Sequence, residues 1–161
     1  TKIDYRKNVN GAFGGTVQLS AGGTVTGVVA GDFNGDGKQD IVAATASDLY
    51  YFQGDGGGGF GAAVNTNLTV INTLGELKAG DFNHDGKLDL AMVGGAGAVA
   101  VSRGLGNGLF STSLTSFGSG LGTSIELGDV NNDGNLDIAY TDTISSLAKV
   151  RNDSRISSRF L

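Results

Sequence analysis

Apolar residues recur at every second position along much of the chain. Val28 and Ala30, Leu77 and Ala79, and Ile125 and Leu127 alternate with positions that include Lys78 and Glu126. A period of two with one wet face predicts strands. The pairs Ile41/Ala43, Leu90/Met92 and Ile138/Tyr140 predict a second strand in each unit. Leu49-Tyr50-Tyr51-Phe52, Val99-Ala100-Val101 and Leu147-Ala148-Lys149-Val150 predict a third. A further strand is expected after each of several Phe residues, as in Thr16-Val17-Gln18-Leu19. No stretch carries helical periodicity, so the expected fold is all-β, with short strands joined by Gly-rich turns.

The pattern repeats. Gly31-Asp32-Phe33-Asn34-Gly35-Asp36-Gly37-Lys38-Gln39-Asp40 returns as Gly80-Asp81-Phe82-Asn83-His84-Asp85-Gly86-Lys87-Leu88-Asp89, and again as Gly128-Asp129-Val130-Asn131-Asn132-Asp133-Gly134-Asn135-Leu136-Asp137. The first Asp residues are 49 and then 48 apart. A Gly- or Asn-rich turn leading into Phe13, Phe60 and Phe110 repeats in phase, with a degenerate copy at Ile156-Ser157-Ser158-Arg159-Phe160. A period of this length fits a four-stranded propeller blade better than the shorter helical repeats. The chain is therefore expected to be one repeat domain, 1–161, of three blades at about 14–60, 61–110 and 111–160. Residues 1–13 would be an extra strand in phase with the blade ends. Closed propellers typically use about 4–8 blades. Three are thus expected to be completed by self-association or by a longer chain.

Each loop reads Asp-x-Asn-x-Asp-Gly-x-x-Asp, with oxygen donors at positions one, three, five and nine. Gly at position six permits a sharp turn with positive φ. Calcium takes about 6–8 oxygen ligands in a flexible cage, and the backbone carbonyl at position seven can add one more. The expected ligands are Asp32, Asn34, Asp36, Lys38 and Asp40 in the first loop. They are Asp81, Asn83, Asp85, Lys87 and Asp89 in the second, and Asp129, Asn131, Asp133, Asn135 and Asp137 in the third. One calcium ion per blade, three per chain, is expected. Magnesium prefers fewer carboxylates and more water, and zinc is disfavoured with no Cys and one His.

Charge supports this placement. The net charge is −5, and nine of the sixteen Asp and Glu lie in the three loops, leaving seven acids against eleven Lys and Arg. The acidity is local, as ligand charge would be, and its sign argues against a nucleic-acid partner. No run is apolar enough for membrane insertion. Thr1-Lys2-Ile3-Asp4 lacks the regions of a signal peptide, so a secreted form is expected to be a mature or trimmed chain. Without Cys, disulfides and thiol chemistry are excluded. His84 sits at position four of a loop and has no nucleophile and acid arranged around it. No enzymatic activity is expected.

The loop Gly31-Asp32-Phe33-Asn34-Gly35-Asp36-Gly37, its two later copies and the Gly-rich turns before Phe60 and Phe110 resemble the FG-GAP/VCBS repeat family, the calcium-loop blades of integrin α-subunit propellers and related proteins. The resemblance implies a propeller fold, calcium in the loops and an extracellular or cell-surface setting. The expected function is a non-enzymatic, calcium-stabilised module for adhesion or recognition of a protein or glycan. A calcium-dependent lectin and a self-assembling surface filament are the alternatives. Sugar stacking would call on Tyr5, Tyr50, Tyr51 or Tyr140, although strand packing is the plainer reading of all four. Gly56-Gly57-Gly58-Gly59 lacks the helix and Lys of a phosphate-binding loop. Asn67-Leu68-Thr69 and Asn152-Asp153-Ser154 match the N-glycosylation pattern.

Overall fold

The computed structural model describes residues 2–69, 74–94, 99–117, 122–142 and 147–151. They form thirteen antiparallel strands in four separate sheets. Strands β1 (Lys2–Val9) and β2 (Ala12–Ser20) make a hairpin. Strands β3 (Val25–Gly31), β4 (Asp40–Thr45), β5 (Asp48–Phe52) and β6 (Val64–Thr69) form a four-stranded sheet in chain order. A second such sheet holds β7 (Leu74–Gly80), β8 (Asp89–Gly94), β9 (Val99–Gly104) and β10 (Phe110–Phe117). Strands β11 (Ile125–Gly128), β12 (Asp137–Asp142) and β13 (Leu147–Arg151) form a third sheet. No barrel closes among the described residues. The all-β expectation holds, and the arrangement is that of blades from an incomplete propeller.

The strand after each Phe is the last of one sheet, not the first of the next. β6 pairs with β5, and β10 with β9. The hydrogen-bonded sheets therefore run over 25–69 and 74–117, where the sequence placed blades at 14–60 and 61–110. The hairpin β1–β2 occupies the place of the last two strands of such a sheet. The degenerate turn at Ile156–Phe160 lies outside the described residues.

Sheets stack face to face, with the first strand β7 lying beside both β3 and β11. Alternation then sorts side chains to two cores. On β4, Val42 and Ala44 enter the core shared with the second sheet, whereas Ala43 packs with Leu19 and Phe52 against the β1–β2 hairpin. On β8, Leu90 and Met92 face the first sheet, while Ala91 and Val93 join Ile125, Ile138 and Tyr140 on the other side. Burial on both faces explains why these second strands read as nearly continuous apolar runs. Edge-to-face ring pairs, Tyr5–Phe60 at 5.5 Å and Phe33–Phe110 at 5.7 Å between centroids, tie each turn to the sheet before it.

One expectation on the first strands differs. Leu77 and Ile125 are buried against the preceding sheet, but their counterpart Val28 is 50% exposed. Val29 on the opposite face of β3 packs against the core shared with the second sheet, so Val28 points the other way. There the hairpin supplies only outer strands, and no described first or second strand covers β3.

Leu90 is fully buried between the first two sheets. Leu90→Ala is expected to lower unfolding stability by about 2–5 kcal/mol, the usual cost of a Leu-sized cavity. Urea denaturation checks this, and a loss well under 1 kcal/mol would mean that the two sheets do not pack as described.

Candidate metal centre

Each Asp/Asn/Gly loop joins the first strand of a sheet to its second, so three equivalent loops stand at equivalent places in three successive sheets. Local geometry follows the sequence closely. Position six has φ of 80° at Gly37, 80° at Gly86 and 87° at Gly134. Position four is also left-handed, at 77° for Gly35, 57° for His84 and 59° for Asn132. Gly, His and Asn tolerate that region better than most residues, a requirement that the repeat reveals only once position four is compared across copies.

The carboxylate at position one organises the loop backbone. Asp32 accepts from the amides of Gly35 and Gly37 at 2.8 Å and of Asp36 at 3.1 Å. Asp81 accepts from Asp85 and Gly86, and Asp129 from Asp133 and Gly134, at 2.8–3.1 Å. The Asn at position three accepts from the amide of position five in every loop. Position five in turn accepts from the amide of position seven. Desolvation raises the Asp36 carboxyl, but the Lys38 amide, the Asn34 and Gln53 side chains and the Lys38 charge outweigh it and hold the group below its usual range. The Asn135 amide, with Asn131, does the same for Asp133. These carboxylates are therefore ionised at neutral pH.

Position nine behaves differently. Asp40, Asp89 and Asp137 are buried, and their oxygens face backbone amides. Asp40 accepts from Phe33 N–H at 3.1 Å, from Gly54 N–H at 2.8 Å and from the Tyr51 hydroxyl at 3.1 Å. Asp89 accepts from Phe82 N–H at 3.1 Å and Gly104 N–H at 2.8 Å. Asp137 accepts from Val130 N–H at 2.9 Å. Burial, then the hydrogen bond to Asp40 and its charge, pushes the Tyr51 phenol well above its ordinary value. The sequence marked this Asp as a ligand alone. Its second role, joining loop to turn across the sheet, depends on partners 14 or 15 residues away that no local spacing reveals.

The donor set is all oxygen: three carboxylates, one amide and a backbone carbonyl in each loop. That chemistry fits a hard cation. A carboxylate offers about four lone-pair sites, so the amide bonds above leave acceptor capacity on each one. Among the described residues no three Asp, Glu or His side chains are drawn into a closed cage; positions one and five lie towards solvent and position nine towards the core. At position seven, Lys38 Nζ lies 3.7 Å from Asp36 and Lys87 Nζ 3.9 Å from Asp85, both exposed pairs, while the Asn135 amide side chain reaches Asp133 at 2.9 Å. His84 Nε2 lies 3.1 Å from Asn135 Oδ1 and so links the second loop to the third. Of the four tyrosines, Tyr51 and Tyr140 are buried and Tyr5 and Tyr50 half-buried, as strand packing requires. Asn67 is exposed with φ of 56°; Asn152 lies outside the described residues.

Two predictions follow from position nine. Burial pushes the Asp89 carboxyl up to about 6, against the pull of the Gly104 and Phe82 amides and with the Asp85 and Asp81 charges adding to the rise. A raised carboxyl stabilises the fold below its unfolded value, and that contribution is lost as pH rises through about 6. In chelator, the protein should lose stability over that window relative to Asp89→Asn, as read by urea unfolding at several pH values. Parallel pH profiles would contradict it. Second, a Cβ on Gly54 would collide with the Gln39 carbonyl, and one on Gly104 with that of Leu88. Both residues must come that close for their amides to reach the buried Asp. Gly54→Ala is expected to cost about 1–3 kcal/mol, whereas Gly61→Ala, with only the Gln53 carbonyl 3.7 Å away, should be tolerated. Equal thermal midpoints for the two variants would refute the close approach.

The repeat seen in the sheets and loops is matched by comparison with known families. The family model described as FG-GAP-like repeat matches residues 3–43, 32–92 and 81–140, three overlapping stretches of which the first ends just past the first loop and the other two each run from one loop to the next. No curated protein matches the chain. With three matched stretches running from residue 3 to residue 140, the chain belongs to the FG-GAP-like repeat family.

Proposed function

We propose that this propeller-type repeat module holds one calcium ion in each of its three Asp/Asn/Gly loops and serves, outside the cell, in adhesion or recognition without enzymatic activity. The observation that carries the reading is the threefold recurrence of one all-oxygen donor set on equivalent loops, each with the same hydrogen-bond pattern at positions one, three and five. Asp32, Asn34, Asp36, the Lys38 carbonyl and Asp40 would hold the first ion. Asp81, Asn83, Asp85, the Lys87 carbonyl and Asp89 would hold the second, and Asp129, Asn131, Asp133, the Asn135 carbonyl and Asp137 the third. A bound cation would offset the repulsion among carboxylates crowded into nine residues and would hold the loop closed. The recognition surface would then be the loops and turns that this framework keeps rigid. The non-enzymatic reading is supported by His84, the one imidazole in the chain, which lies against Asn135.

Ligand that binds only the folded state stabilises it, by about 2.7 kcal/mol per site at a concentration about 100 times the dissociation constant. Calcium should therefore raise the melting temperature by several degrees and chelator should reverse the rise. Asp36→Asn, which removes one exposed carboxylate, should reduce the calcium-dependent part while leaving the melting point in chelator nearly unchanged. A melting curve indifferent to calcium would dismiss the metal reading.

A further inference from the structure

The two interfaces inside the chain are built from the same positions. Phe33, at position two of the first loop, shares a core with Leu77 of the next sheet. Phe82, its counterpart in the second loop, shares a core with Ile125 of the sheet after that. The next members of the two series are bare. Val130, at position two of the third loop, is 60% exposed, and Val28, the counterpart of Leu77 and Ile125, is 50% exposed. Other observations point the same way. Phe13 stands where Phe110 stands in its sheet, yet it is 69% exposed while Phe110 is buried against Phe33. Asp129 and Asn131 are exposed, whereas their equivalents in the first two loops are half-buried. β1 pairs only with β2, so among the described residues its other edge is open.

We propose that a second copy of this chain covers these surfaces head to tail, placing its β11 and β12 against β3 where the first and second strands of a preceding sheet belong. Val130 of one copy then joins Val28 of the other in one core, as Phe33 joins Leu77 and Phe82 joins Ile125. Phe13 faces Phe82 of the other copy as Phe110 faces Phe33. The open edge of β1 joins β12 of the other copy. That edge of β12 is taken in the single chain by β13, from Ile138↔Arg151 to Asp142↔Leu147. β1 and β13 hold the same third place in their sheets, so β1 displaces β13 there on assembly. Each copy thus contributes two whole sheets and two halves, and two copies close a ring of six, inside the range of about 4–8 blades in closed propellers. Each copy's last sheet meets the other's first, so the two junctions are equivalent and the ring closes about a two-fold axis. The chain itself supplies the template for the interface, because it contains that interface twice. The third loop gains the cover that the first two already have.

The proposal stands on the sheets and not on the cation, so its failure would leave the calcium reading intact, and an unchanged melting curve in calcium would leave the assembly standing. The test is solution mass by light scattering in calcium buffer. The chain is expected to be a dimer. Val28→Glu and Val130→Glu, each at an exposed position of the single chain, should each halve the mass. Mixing the two should restore a dimer, because one intact pair of surfaces remains. Leu105→Asp places at an exposed turn position the residue that Asp55 supplies in the first sheet and should leave the mass unchanged. A monomeric parent chain, an open series of higher masses, or a dimer indifferent to both Glu variants would overturn the proposal.

Discussion

A buried carboxylate that must be satisfied is the constraint around which each repeat is arranged. Removing a carboxylate from water costs several kcal/mol unless hydrogen bonds replace the lost hydration. At position nine the fold meets that cost with amides from two directions. For Asp40 and Asp89 one comes from position two of the same loop and the other from a Gly at the end of the third strand (Gly104) or two residues beyond it (Gly54). Delivering the first amide bends the loop back over the start of the second strand. Delivering the second brings Gly54 or Gly104 onto the backbone of position eight so closely that no side chain fits. The loop, the second strand and the Gly-rich turn are held by one group. Position two is fixed by the same bond, which aims Phe33 and Phe82 at the next sheet. The local polar contact and the long-range apolar contact are therefore two consequences of one placement.

Packing between sheets follows. With a second strand apolar on both faces, no single sheet can bury itself, and its stability comes from the neighbours on either side. Val42 with Ala44, and Ala43, serve different cores from adjacent positions on one strand, so a register slip by one residue would exchange the two cores. The exposed members of the repeated positions, Val28 and Val130, show the same rule where it lacks a partner.

Much of this was legible in the residues. Period-two alternation marked the strands, and the Asp-x-Asn-x-Asp-Gly-x-x-Asp spacing marked the loops with every positive φ at position six. Which strands share a sheet was not legible, because a repeat of fixed length looks the same wherever counting begins. Only the pairing of β6 with β5 and β10 with β9 sets the phase. Nor did the sequence separate position nine from positions one and five. All three are Asp, and what distinguishes them is burial, set by amides contributed from another turn. The link between His84 and Asn135 was hidden for a similar reason: 51 residues separate them, and their proximity comes from the stacking of sheets.

The loops combine two demands. Positions one, three and five shape the exposed rim, while position nine anchors the floor to the core. A cation shared among them would couple rim to floor and so make the loops as rigid as the sheets beneath them. Equilibrium dialysis of chelator-stripped protein against calcium tests that most directly. Three equivalents bound per chain, reduced by one in Asp81→Asn, is the predicted result, and no bound calcium at concentrations that saturate ordinary extracellular sites would contradict the account.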